Sequence, residues 1–210
     1  MTVSPPQVCV YFVRHGETTW SLSGQHTGHT DLPLTAVGED EARRMRPAFQ
    51  NIEFARVLTS PLQRARRTYE LSGINRTAET DPDLAEWDYG AYEGLRSVDV
   101  RESRPDWDLF RDGCPGGESP SQVSDRADRV IERLRTYRGN VALFSSGQFG
   151  CVLAARWIGL RVLDAQHFAV GTASLGIFGY DPHHPEVAVI SGWGIKTFAT
   201  CAPEPRYDDA

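Results

Sequence analysis

A chain of 210 residues is long enough for one domain with a full core and too short for two. With 40% hydrophobic and 24% charged residues it reads as soluble and globular, and its net charge of −6 argues against nucleic acid and anionic membranes as partners. Four scattered cysteines (Cys9, Cys114, Cys151, Cys201) exclude a disulfide framework and a metal-ligand spacing, and no leader or membrane-length apolar run appears, so a cytoplasmic protein with reduced thiols is expected.

Residues 1–7 read as a disordered lead-in. Val8–Val13 is rich in β-branched and aromatic residues and predicts a short buried strand. The segment Trp20–Asp31 is polar, contains glycine and has no period, which predicts a binding loop. Thr35 is the expected N-cap of a helix whose apolar stripe is Val37, Ala42, Met45 and Phe49. Arg56–Ser60 reads as a second strand, and Pro61 as the first residue of the next helix. A short segment at Arg76–Ala78 and an aromatic, acidic stretch at Leu84–Gly94 follow. Residues 95–121 are rich in Arg, Asp, Pro and Gly and are expected to form a lid of short helices and loops.

Ser121 or Ser124 is the expected cap of a strong helix carrying Val123, Ala127, Val130, Ile131, Leu134 and Tyr137. Val141–Ser145 is a third buried strand, and its turn leads into a helix over Phe149–Ile158. Thr172–Tyr180 and Glu186–Ile190 form a closing strand pair, and residues 201–210 a loose tail. Strands alternating with helices predict an α/β fold: a three-layer α/β/α sandwich with a mainly parallel sheet, one domain spanning 8–200.

Arg14, His15 and Gly16 fall at the C-terminal end of the first strand, where an open α/β sheet holds its ligand. Arg14 offers a planar fork of donors for phosphate oxygens, and a neutral His15 can attack phosphorus without first losing a proton. Gly16 allows close approach of backbone to a bound group, or a positive φ. Arg64 and Arg67 share one side of their helix, and Arg66 does not. No dinucleotide fingerprint or metal-ligand cluster appears, so no cofactor and no metal are expected.

Six ordered blocks resemble the histidine phosphatase superfamily, also called phosphoglycerate-mutase-like. They are RHGET at 14–18, Trp20 with TGxTDxPLTxxG at 27–38, SPLQRARRT at 60–68, ExxxGxxEG at 86–94, GGES at 116–119 and SxG at 145–147. WSLSGQHTGHTDLPLT and LAEWDYGAYEGL are most similar to small bacterial phosphatases acting on sugar phosphates and other monoesters. The resemblance implies that His15 is the nucleophile of a phosphohistidine route, that Arg14 and Arg64 hold the phosphoryl oxygens, and that Glu86 passes a proton to the leaving oxygen. It places Ser21, Thr27, Gly28, Ser146, Gly147 and Gln148 around the phosphate, with Tyr92, Trp107 and the lid setting specificity. His26 and His29 are expected near the sugar. The expected partner is a small phosphorylated substrate, with no nucleic acid and no membrane; a homodimer stays open.

One position departs from the pattern. The resemblance implies a second histidine after the strand that ends at Ser145, and here the residue is Ser146, followed by Gln148 and Cys151. Serine is shorter, neutral and a weaker donor, so attenuated turnover is expected. No other histidine is an obvious substitute, although His167 follows the next helix. Three changes on one turn fit a weakened or repurposed pocket better than a single inactivating substitution. The alternatives are a pseudoenzyme that only binds a phosphorylated ligand, or an enzyme of elimination or isomerisation.

Overall fold

The computed structural model describes residues 7–196. The expected lead-in (1–6), the expected tail, Cys201 and the last four residues of the expected domain lie outside the described residues. In chain order the elements are β1 (Val8–Arg14), α1 (Thr19–Ser23), α2 (Ala36–Arg44), β2 (Phe54–Thr59), α3 (Gln63–Leu71), β3 (Glu79–Thr80), α4 (Ser97–Ser103), α5 (Leu109–Asp112), α6 (Pro120–Thr136), β4 (Gly139–Ser145), α7 (Gly147–Trp157), β5 (Leu175–Tyr180) and β6 (Ala188–Ile195).

The six strands form one sheet in the order β3-β2-β4-β1-β5-β6. β1, β2, β3 and β4 are mutually parallel, and β5 runs antiparallel to both β1 and β6. The mainly parallel sheet flanked by helices is the expected α/β architecture. Side chains alternate across it: Val10 and Phe12 of β1 with Val141 and Leu143 of β4 join one core cluster, shared with α6 and α7. Val13, Ala142 and Phe144 join the other, with Met45, Phe49 and Ala65. Burial on both faces explains why these central strands read as continuous apolar runs rather than as polar–apolar alternation. No described helix is long and apolar enough to cross a membrane.

Several local expectations need correction. The loop Trp20–Asp31 opens in a one-turn helix, α1, set by a Thr18–Ser21 capping box and closed by Gly24 at φ 80; five residues are too few to show a period. Val37 is 54% exposed, because Gly38 and Ala42 form the buried side of α2 and Val37 is rotated off it. β2 begins two residues before the expected start and ends one before the expected end. Pro61 does not open α3: Leu62 is the N-cap, and distant Asp31 accepts from Gln63 N at 2.8 Å. α6 is capped by Ser119, not Ser121 or Ser124, since Pro120 takes the first helical position and Gln122 completes a capping box. α7 begins at Gly147 rather than Phe149, and β6 runs on to Ile195 through two register shifts in β5. The two-residue β3 gave no sequence signal.

Candidate active site

Parallel register alone assembles the centre of the site. Arg14 at the end of β1 pairs with Ser145 at the end of β4, and β2 lies on the other side of β4. The bonds His15 N to Ser145 O (3.0 Å) and Ser60 N to Phe144 O (2.8 Å) therefore draw residues 15, 60 and 145 to one edge of the sheet. The loop after β1 is then braced against α2. Thr35 caps α2 with its side chain and donates from Oγ1 to Glu17 Oε1 at 2.7 Å. Gly16 and Gly38 sit backbone on backbone: a Cβ on Gly16 would lie 2.4 Å from Gly38 O, and one on Gly38 would lie 2.1 Å from Glu17 O. The glycine of RHG thus serves contact with α2 rather than the expected contact with a ligand, and its φ is not positive.

His15 is 4% exposed. Its Nδ1 lies 2.8 Å from Gly16 O, a carbonyl that can only accept, so Nδ1 carries the proton and Nε2 keeps its lone pair. Burial lowers the imidazole pKa well below its ordinary value, and the positive charges of Arg64 and Arg14 push the same way. The ring is held neutral in one defined tautomer.

Arg14 donates from Nη1 to Val170 O at 2.6 Å, and its guanidinium passes so close to Gly147 that a Cβ there would lie 3.1 Å from Nε. Arg64 is fully buried, with Nη1 on Thr30 O and Nη2 on Thr27 O and Gly28 O, all at 3.0 Å. Those bonds tie α3 to the loop 27–30, and Glu93 holds the same loop by accepting from Gly28 N and Thr30 N. Among the described residues, Arg14 Nε, Arg64 Nε, Ser146 Oγ and, away from the site, Trp193 Nε1 are buried without a hydrogen-bond partner. Buried donors left unpaired are costly, and here two of the four belong to the cations that face His15. Ser146 is the N-cap residue of α7, yet its hydroxyl caps nothing.

Glu86, 5% exposed, reaches the site from the other direction. Its Oε1 accepts from Trp87 N (2.8 Å) and Phe149 N (2.7 Å), and Oε2 from Gln148 N (3.0 Å). The first turn of α7 therefore docks onto this carboxylate, in keeping with the positive end of a helix. Behind it, buried Arg126 donates to Glu118 from Nε and Nη2 (2.8 and 2.6 Å) and to the carbonyls of Asp83, Ala85 and Glu86. Its guanidinium covers the Phe149 ring at 4.4 Å. Neither Arg126 nor Glu118 was among the expected site residues. The available signal was Arg126 at the i+3 position of the stripe Val123, Ala127, Val130, all of it buried.

A cavity of about 400 Å³ opens over these groups, lined by Arg14, His15, Ser21, Thr27, Glu86, Gly147 and Gln148 of the expected set. Arg64, Gly28 and Ser146 are not on its surface. Arg64 and Gly28 support the loop that carries Thr27, and Ser146 is covered entirely. His26 lines the wall, its ring tilted against Tyr89 at 4.5 Å, whereas His29 and His167 are exposed and away from it. Tyr92 and Trp107 do not line it either: Trp107 packs behind His26 at 5.7 Å, and Tyr92 against Trp107 at 5.3 Å. Ser97 and Phe110 take that side, joined by Gln25, Cys151, Gln166, Phe168 and Val170, which sequence reasoning did not assign. Burial raises the Cys151 thiol to about 12, and its Sγ donates to Phe168 O; it is a packing residue, not a thiolate. Among the described residues, no group of three or more His, Cys, Asp or Glu is placed to hold a metal ion.

A model of the histidine phosphatase superfamily (branch 1) matches residues 10–191. Over 182 residues the chain is 39% identical to an acid phosphatase of Mycobacterium tuberculosis, with 85% of this chain and 89% of that protein covered. Over 182 residues it is 37% identical to the sedoheptulose 1,7-bisphosphatase of Saccharomyces cerevisiae, with 71% and 67% covered. A solved structure of an open reading frame product from Mycobacterium tuberculosis superposes with a TM-score of 0.84 at 36% identity, covering 90% of this chain and 98% of that one.

Proposed function

The chain belongs to the histidine phosphatase superfamily, and on that premise we propose that it hydrolyses a small phosphate monoester, a sugar phosphate, through a phosphohistidine intermediate. The observation that carries this reading is the state of His15: buried, neutral, with Nδ1–H donated to Gly16 O and the Nε2 lone pair left for attack. The names of two relatives, an acid phosphatase and a sugar bisphosphatase, support the substrate class.

In the first step the Nε2 lone pair forms the N–P bond, the P–O bond to the sugar breaks, and the Glu86 carboxyl gives its proton to the departing oxygen. In the second step Glu86 takes a proton from water. The water oxygen bonds to phosphorus, the N–P bond breaks, and phosphate leaves with His15 neutral again. Arg14 meets the phosphoryl oxygens as negative charge builds up. Arg64 acts from behind through its charge and Nε, its other nitrogens being committed to the 27–30 loop.

Ser146 lowers turnover in this scheme, because a neutral, covered hydroxyl replaces a charge-assisted donor. The same position favours a second reading, a binder that holds a phosphorylated ligand without turning it over. Phosphate release from a panel of sugar phosphates and an aryl phosphate, with chelator present, tests both. Release that His15→Ala abolishes is the expected result. No release from any member overturns the hydrolase reading and leaves the binder.

A further inference from the structure

The charges in the cavity are unevenly placed. Among the described residues, Arg14 is the one Lys or Arg that lines it, with Arg64 buried behind His15. Glu86, on the same wall, supplies no positive charge. His26 brings no positive charge, since burial lowers its pKa below the ordinary imidazole value. Arg101 donates to Trp107 O, and Lys196 lies 3.8 Å from Glu41; neither lines the cavity.

Away from the cation the wall is neutral. Gln148 and Gln166 present side-chain amides that make no hydrogen bond to the described residues, and Ser97 offers a hydroxyl beside His26 Nε2 at 3.3 Å. Phe110, Phe168, Val170 and the paired His26 and Tyr89 rings supply apolar area between them. Amides both donate and accept, as hydroxyl groups do, whereas ionised carboxylates and phosphates only accept and are held most strongly by cations. Aromatic faces cover the C–H surface of a ring. At about 400 Å³ the space holds a small phosphorylated molecule.

We propose that the pocket takes one phosphoryl group on a neutral, hydroxyl-bearing alcohol, a sugar or polyol monophosphate, and discriminates against substrates that carry a second phosphate or a carboxylate. This rests on the hydrolase reading and narrows it. Gln148 and Gln166 are the specificity-determining residues: they hydrogen-bond the alcohol's hydroxyl groups and offer no charge to a second anion.

Matched pairs test the inference: glycerol phosphate against phosphoglycerate, and fructose monophosphate against fructose bisphosphate. We would measure kcat/KM on the unmodified protein and Kd by calorimetry on His15→Ala, which binds without turnover. The neutral member should be favoured in both pairs by on the order of ten- to a hundred-fold, the size of a forgone charge-assisted hydrogen bond. Gln166→Arg, a change at an exposed position, should narrow the glycerol–phosphoglycerate gap by about tenfold. Equal values across the pairs, or preference for the charged member, overturn this inference whether or not phosphate is released. Preference in Kd without phosphate release overturns the hydrolase reading alone.

Discussion

At the scale of single residues, the state of His15 decides what the site can do. Two guanidinium groups and near-complete burial hold its imidazole neutral at a pH where an exposed histidine would be half protonated. On the proposed route, the protonation that would silence His15 is thereby moved to lower pH. The limb of kcat/KM due to His15 should stay flat through pH 6.5 and fall only well below it; a limb that halves at 6.5 would show that the ring titrates as if exposed. Ser146 is the second residue that the proposed scheme singles out. On that scheme, introducing a charged donor with Ser146→His should raise kcat by roughly a hundred- to a thousand-fold, the converse of deleting one transition-state donor. Steady-state phosphate release measures it, and an unchanged kcat would mean that Ser146 does not limit turnover.

At the scale of elements, the site depends on joints between helices and loops that carry no chemistry themselves. α7 docks its first turn on Glu86, and α6 holds the strand of chain before Glu86 through Arg126. Arg126→Met removes two bonds to Glu118 and leaves that carboxylate uncompensated, so unfolding free energy should fall by about 3–5 kcal/mol in urea. Replacing Glu118 by Met as well should recover part of the loss, because the stranded charge is gone; no recovery would mean that the carbonyl bonds of Arg126 dominate. In either variant kcat should drop more than KM rises, since Glu86 is positioned from behind rather than touched on the substrate side.

At the scale of the whole molecule, stability and chemistry are linked through the same imidazole groups. His15 and His26 both have folded-state pKa values lowered by burial. Between the folded value and about 6.5 the unfolded chain binds protons that the native state refuses, so stability rises with pH in that window. The urea midpoint should therefore fall as pH drops below 6.5, and the fall should be shallower in His15→Ala. A second loss begins within the ordinary carboxylate range, where the unfolded chain takes up protons that Asp99 and Asp112, each held at about 2 by an arginine, still refuse in the native state. Those pairs are exposed and weakly coupled in salt, so the histidine window should dominate near neutrality.

β1 and β4 were legible in the sequence because both of their faces are buried, which leaves an unbroken apolar run that only a central strand needs. The RHG turn was legible because it stands at the end of such a run, and the six ordered blocks pointed to the family that the comparisons established. Other features were decided only by tertiary structure. Val37 keeps the apolar character of its helix yet faces solvent, and Pro61 yields the start of α3 to a cap from Asp31, thirty-two residues away. Arg64 and Arg126 look like surface cations in a string of arginines, yet both are buried because loop carbonyls and Glu118 surround them. The cavity wall of Gln166, Phe168 and Val170 comes from a 3-10 helix over Val162–His167 and the loop after it, which carry no periodic signal. Local propensity and pattern are properties of neighbours along the chain, whereas caps, buried charges and pocket walls are made by neighbours in space, and no short window of sequence contains them.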